Sequence, residues 1–340
     1  MTEEISYGDA IRIGFEYLLG TRPDVFVMGQ GVWSPWYVGN SMTDLDKKFG
    51  RERVIDTPVS EAACTGAAIG ASLFGHRAVV VHPRMDFMVL ATDPIVNQAA
   101  KWAHMLGGLS RPAVTIRGIV NRGGEQGAQH SQALHSWYAH IPGLRVVMPA
   151  TPTDARDLLI AAVLCDDPVL YIDDRWLYAV SEPMDPPADV DLRDIRPVVR
   201  RTGGDVTLVA AGHSWLLAET AAADLAGRGI QAEVIDLRVV NPLDHEVVAA
   251  SVAKTGRLVA IDGGWRTCGL AGEVIAGAAE RLDPAVWRSR PVRIALPDAP
   301  APTSRPLEAT YYPTAEHVTS AVLAMVEETP AAGARTARAG

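Results

Sequence analysis

The sequence predicts an α/β protein of two three-layer α/β domains, each with a mostly parallel sheet and helices on both faces. Three observations lead there. Short β-branched runs alternate with helical patterns through the first half of the chain. The stretch EPMDPPADVDLRDIRP, around Pro183, is rich in proline and aspartate and has no apolar period. The alternation then resumes at Val206. At 340 residues there is room for two domains, each able to bury a core. The expected division is a first domain over 1–182, a linker over 183–202, a second domain over 203–328 and a disordered tail over 329–340.

Taken in order, Ser6 to Leu19 carries apolar residues at helical spacing, and Val25 to Met28 is a short strand that stops at Gly29 and Gly31. Ala62 to Phe74 is small and apolar nearly all round, which predicts a buried helix open to close approach by a neighbour. Ala78 to Val81 is an all-apolar strand of the kind covered on both faces. A long helix is expected around Asp93 to Leu106, strands at Val114 to Arg117 and Arg145 to Val147, and a helix over Asp154 to Leu164. In the second domain, strands at Val206 to Ala210, Ala232 to Asp236 and Arg257 to Ile261 alternate with helices at Ser214 to Ala226, His245 to Lys254 and Gly272 to Leu282. That outline resembles a dinucleotide-binding unit, but AAGHSW lacks the GxGxxG spacing that brings backbone against a pyrophosphate. A packing domain is the expectation. The closing AAGARTARAG is of low complexity, hence the disordered tail.

Composition sets the outer limits. A formal net charge of -9, with no run of Lys and Arg, argues against a nucleic-acid surface. No apolar stretch reaches the length of a membrane span, and the acidic start MTEEISYGDA has neither the basic nor the apolar part of a signal peptide. Cys64, Cys165 and Cys268 lie far apart with no CxxC spacing, so neither a disulfide framework nor a zinc site is expected. They read as buried thiols of a cytoplasmic protein.

Two segments concentrate polar chemistry. In Asp56-Thr57-Pro58-Val59-Ser60-Glu61 an apolar lead-in meets a proline turn, and Glu61 opens the small-residue helix. A carboxylate there can cap free N–H groups; beside an apolar helix it can instead be desolvated and exchange a proton. In the second segment, Gly123 to Gln132, glycines allow backbone to approach a ligand and amides flank His130, where they can fix its tautomer.

These residues carry a family resemblance. RVIDTPVSE, DPIVNQAAK with MLGG, GAQHSQ, IPGLRVVMPATPTDA, DPVLYID, EVIDLRVVNPLD and VAIDGGW occur in order over roughly 5–325. In this the chain resembles the β subunits of thiamine-diphosphate-dependent 2-oxoacid dehydrogenases (E1 components for pyruvate or branched-chain 2-oxoacids) and of acetoin dehydrogenase. The resemblance implies a pyrimidine-binding domain followed by a transketolase C-terminal domain. It places the catalytic glutamate at Glu61, where it would hydrogen-bond N1′ of the aminopyrimidine and help deprotonate thiazolium C2. Phe87 would pack on the pyrimidine, and His130 would lie near substrate for proton transfer or charge stabilisation. The GDG…N pattern that holds Mg²⁺ and the diphosphate is absent. An α subunit should therefore supply that half, in an α₂β₂ assembly, with a lipoyl-bearing E2 as possible acceptor.

Departures bear on the substrate. Gln30 stands where relatives carry a carboxylate near the cofactor, Val81 stands where they carry an acid, and Pro94 sits at a helix start that tolerates it. Arg84 can pair bidentately with a substrate carboxylate or form a surface ion pair. Val32 to Tyr37, unusually aromatic, reads as packing surface or as a reshaped substrate channel. Three functions follow: decarboxylation of a 2-oxoacid with transfer to lipoyl-E2, carboligation of the transketolase or acyloin type without E2, and a non-catalytic scaffold. Joint retention of Glu61, Phe87 and His130 argues against the third.

Overall fold

The computed structural model describes residues 4–327. Of these, 4–196, 238–243 and 300–309 form one compact unit, and 197–237, 244–299 and 310–327 form another. The first unit holds β1 (Glu4–Ser6), β2 (Val25–Gly29), β3 (Val54–Asp56), β4 (Arg77–His82), β5 (Val114–Val120), β6 (Arg145–Val147), β7 (Val169–Asp174) and β8 (Ser181–Pro183). β1 and β8 make a small antiparallel ribbon. The main sheet runs β6-β7-β5-β4-β2-β3, all parallel, with Val239–Asn241 added antiparallel on β6. Because β4 and β5 are central and covered on both faces, their valines and isoleucines are buried without alternation. The helix Tyr7–Thr21 starts where Ser6 Oγ accepts the Asp9 N–H at 3.2 Å, and it packs against the helix Pro152–Leu164, where a Cβ on Gly14 would stand 3.3 Å from Leu159.

One charge pair sits inside this core. Arg117 on β5 and Asp173 on β7 are both fully buried and joined by two hydrogen bonds of 2.8 Å. The Tyr178 hydroxyl donates to Asp173 at 2.6 Å, and Ser41 Oγ accepts from Arg117 at 2.9 Å.

The second unit is a five-stranded sheet in the order Val292–Leu296, Leu258–Trp265, Val206–Ala210, Ala232–Asp236, Val198–Arg201. Its core gathers Leu208, Val234, Val259 and Leu225 with Val318 and Val322 of the last helix, Ala315–Glu327.

Four expectations change. The helix expected to be buried spans Glu61–Leu73 and covers only one face: Thr65, Ala68, Ile69 and Ser72 are buried, whereas Ala62, Ala63, Gly66 and Ala67 face solvent. Small residues look the same in composition whether they face a core or open surface. The long helix divides into a π-helical segment, Pro94–Ala99, and an α-helical one, Ala100–Met105, with Pro94 at the first position where its missing N–H costs nothing. The stretch 183–202 ends in a strand, since Val198 and Val199 pair antiparallel to Ala232–Asp236. None of the cysteines is fully buried, and Cys268 is exposed in a turn at φ 55. The tail over 329–340 lies outside the described residues. No helix among the described residues is long and apolar enough to cross a membrane.

Candidate active site

In open parallel sheets, ligands bind beyond the carboxyl ends of the strands, where the strand order reverses. Here β2 is followed by β3 on one side and β4 on the other, so the reversal lies at β2. A cavity of about 440 Å³ opens there, lined by residues that leave β2, β3 and β4. Gly29 ends β2 because a Cβ would stand 2.4 Å from the Val81 carbonyl of β4. Gly31, at φ +66, has the Tyr37 ring 2.5 Å from where its Cβ would be. The turn between them delivers Gln30 to the cavity.

From β3 the chain passes through Thr57 and Pro58 into the helix that Glu61 opens. Glu61 lines the cavity half-buried, and its carboxylate accepts no hydrogen bond among the described residues. Nor does the Ser60 side chain cap the helix. The capping alternative for Glu61 is therefore not realised, and the carboxylate is free to meet a ligand. One turn further on, Thr65 Oγ1 lies 3.2 Å from His82 Nε2 at the end of β4. Burial pushes the His82 pKa down to about 4, so this cavity wall carries a neutral imidazole.

After β4, Arg84 and Phe87 line the same cavity. Phe87 meets His130 edge to face, ring centroids 5.2 Å apart and planes at 80°. Asp86, next to Phe87 in the chain, is buried, and its Oδ1 accepts the Gln132 N–H at 3.0 Å, which ties the glycine-rich loop to the turn after β4. Burial pushes the Asp86 carboxyl above its usual range, against the pull of the Gln132 hydrogen bonds. The loop is held a second time where the Glu125 N–H donates to Glu308 at 2.9 Å.

Gln30, Glu61, Arg84, Phe87 and His130, separate in the sequence, thus line one cavity. Of the aromatic segment, Trp36 and Tyr37 line it too, whereas Trp33 is held in the fold by the Val54 carbonyl at 2.8 Å and by Arg51 stacked 4.2 Å from its ring centre. Sequence reasoning gave no role to His82, Thr65, Asp86 or Asn121. A polar residue ending an all-apolar strand is the one signal that marked His82. Among the described residues no three His, Cys, Asp or Glu side chains cluster to hold a metal ion.

His82 makes stability pH-dependent. Between pH 6.5 and about 4 the unfolded chain takes up a proton that buried His82 refuses. Stability should therefore fall as pH drops through that window, by up to about 3 kcal/mol. Asp86, with its raised pKa, gives a slope of the opposite sign, so wild type is to be compared with a variant. His82→Phe should reduce the fall in urea midpoint between pH 6.5 and 4; an unaltered slope would exclude His82 as its source.

A family model described as "Transketolase, pyrimidine binding domain" matches residues 3–179, and one described as "Transketolase, C-terminal domain" matches 196–318. The chain is 34% identical to the acetoin:2,6-dichlorophenolindophenol oxidoreductase subunit beta of Bacillus subtilis, over 96% of this chain and 99% of that protein. It is 36% identical to the mitochondrial pyruvate dehydrogenase E1 component subunit beta of Drosophila melanogaster, over 94% and 89%. A solved structure titled "Split gene transketolase, inactive beta4 tetramer" superposes with a TM-score of 0.77 at 22% identity, covering 96% of this chain and 99% of that one, which is a likeness of fold.

Proposed function

This chain belongs to the transketolase-like family of E1 and acetoin dehydrogenase β subunits, and on that premise we propose that it is the β subunit of a heteromeric thiamine-diphosphate enzyme that decarboxylates a 2-oxoacid and passes on the acyl or aldehyde unit. One observation carries this reading: the uncommitted Glu61 carboxylate shares a cavity with the Phe87–His130 ring pair. A flat aminopyrimidine fits such a donor set, with an acid for a ring nitrogen and an aromatic edge to pack against.

When bound, thiamine diphosphate supplies a carbon nucleophile and an electron sink for the bond to CO₂. Glu61 would hold a hydrogen bond to N1′ of the aminopyrimidine and exchange a proton there. Phe87 would press on the ring, and Gln30 would offer a neutral amide to the polar edge. His130, fixed through the Gln132–Asp86 contact, would give or take a proton at the substrate oxygen. Val59, Trp36 and Leu90, apolar residues of the cavity wall, would help keep water from the reacting atoms.

The other half of the site belongs to a partner. The relatives are named as β subunits, and the chain lacks the GDG…N pattern for Mg²⁺ and diphosphate. An α subunit would hold both, in an α₂β₂ assembly, and the solvent-facing Ala62, Ala63, Gly66 and Ala67 would receive it. A Cβ at Gly66 meets nothing within 4 Å in this chain. Gly66→Leu should therefore leave the isolated chain folded and abolish co-purification with the α subunit. Gly66→Ala should retain the partner and strengthen the helix by about 0.5–1 kcal/mol. If Gly66→Leu co-purifies normally, the helix does not receive the α subunit.

The acceptor in this reading is the lipoyl group of an E2 partner. The test is co-expression with the α subunit, addition of thiamine diphosphate and Mg²⁺, and a panel of 2-oxoacids. CO₂ release coupled to reduction of an artificial dye acceptor is expected. CO₂ release that yields only acyloin products would move the acceptor to a second carbonyl compound.

A further inference from the structure

The cavity wall opposite in chemistry to Glu61 is cationic. Arg84 leaves the end of β4 half-buried, and its Nη1 donates to the Pro83 carbonyl at 3.0 Å. With the Asn121 amide turned to present its oxygen, Arg84 also donates from Nε at 3.0 Å and from Nη2 at 2.9 Å. A guanidinium has five N–H donors. These contacts use three and leave one on each terminal nitrogen for an anion such as a carboxylate or phosphate. Arg175, just beyond β7, donates to the carbonyl of Tyr37, itself a lining residue, and lies 5.3 Å from the Tyr178 ring centre.

Among the described residues neither arginine meets a carboxylate at ion-pair distance. Asp86, two residues from Arg84, spends its Oδ1 on the Gln132 N–H. Burial, and then the charge of Arg175, pull the Arg84 pKa below its ordinary value. The Asp86 charge works the other way on Arg84 but is outweighed by Arg175, and a bound anion relieves the repulsion that remains between the two cations.

The chemistry decides which anion. The carboxylate that leaves as CO₂ loses its charge in the transition state, so pairing it with arginine would stabilise the ground state and slow the step. A group that keeps its charge throughout suffers no such penalty. We infer that the donor substrate carries a second anionic group besides its 2-oxoacid carboxylate, a terminal carboxylate or phosphate, and that Arg84 backed by Arg175 holds it. The inference rests on the decarboxylase reading given above for the substrate's reacting end.

The test uses the assembled α/β enzyme with thiamine diphosphate and Mg²⁺. Its substrates are 2-oxoacids of matched chain length ending in a methyl, a carboxylate or a phosphonate group. The wild-type enzyme should prefer a charged terminus by about 10- to 100-fold in kcat/KM, the range for hydrogen bonds to a charged group. The carboxylate and phosphonate arms tell the two anions apart. Arg84→Met should erase the preference mainly through KM, and Arg84→Lys should restore part of it; unchanged complex size and melting temperature establish that the variants fold. A wild-type preference for the methyl terminus would overturn the inference, as would an Arg84→Met variant that loses activity equally on all termini. If no 2-oxoacid is turned over, calorimetry with glutarate and with inorganic phosphate decides. Binding to wild type but not to Arg84→Met keeps the anion site while the decarboxylase reading falls; binding of neither probe overturns the anion site itself.

Discussion

Replacing Glu61 by glutamine in the assembled enzyme is expected to lower kcat by about 10²–10⁴-fold, the usual contribution of a positioned acid–base group. Stability should barely change. The carboxylate is half-buried and accepts no hydrogen bond among the described residues, so its removal leaves no buried partner stranded. Surface changes of this kind usually stay within about 0.5 kcal/mol. Glutamine keeps the shape and removes the ability to exchange a proton, which separates chemistry from packing. The measurement is steady-state decarboxylation beside a melting curve and a test of α-subunit binding. Full activity in Glu61→Gln would remove Glu61 from the proton path, and loss of the complex would turn the effect into one of assembly.

The second large effect is structural. Asp173→Ala strands the guanidinium of Arg117, which has no exposed surface and pairs with Asp173 through both of its carboxylate oxygens. Breaking a buried ion pair from one side typically costs about 3–5 kcal/mol, because the remaining charge stays desolvated. At about 2–4 °C per kcal/mol for a unit of this size, melting should fall by roughly 6–20 °C. The double change Arg117→Met with Asp173→Leu should regain much of the loss, since neither charge is then left behind. A single-variant loss under about 1 kcal/mol would show that water or another group reaches Arg117. The damage should also extend to function: Tyr178 donates to Asp173 and its ring supports Arg175.

The strands were legible because a sheet covered on both faces demands unbroken apolar runs, and Ala78 to Val81 and Val206 to Ala210 supply them. Glu61, Phe87 and His130 were legible through their motifs, and each lines the cavity. The partners that position them were not. Thr65 beside His82, Asn121 beside Arg84 and Glu308 beneath the glycine-rich loop are brought together by strand order and long-range packing, which no local spacing encodes. The solvent-facing side of Glu61–Leu73 is not legible for a related reason: alanine and glycine suit a crowded interior and an open surface equally well. The π-helical segment at Pro94–Ala99 escaped because its apolar pattern differs little from that of an ordinary helix.

If the helix that begins at Glu61 receives the partner as proposed above, turnover is linked to dilution. Gly66 and Gly70 weaken it intrinsically, and only one of its faces is braced by this chain. In that reading a lone subunit would carry Glu61 on an element that opens locally more readily than one braced on both faces. Docking of the second chain would supply the missing brace, with the cost of ordering met at that moment. Specific activity should then fall as the protein is diluted below the dissociation constant of its complex, even with cofactor in excess, and recover when the partner subunit is added back.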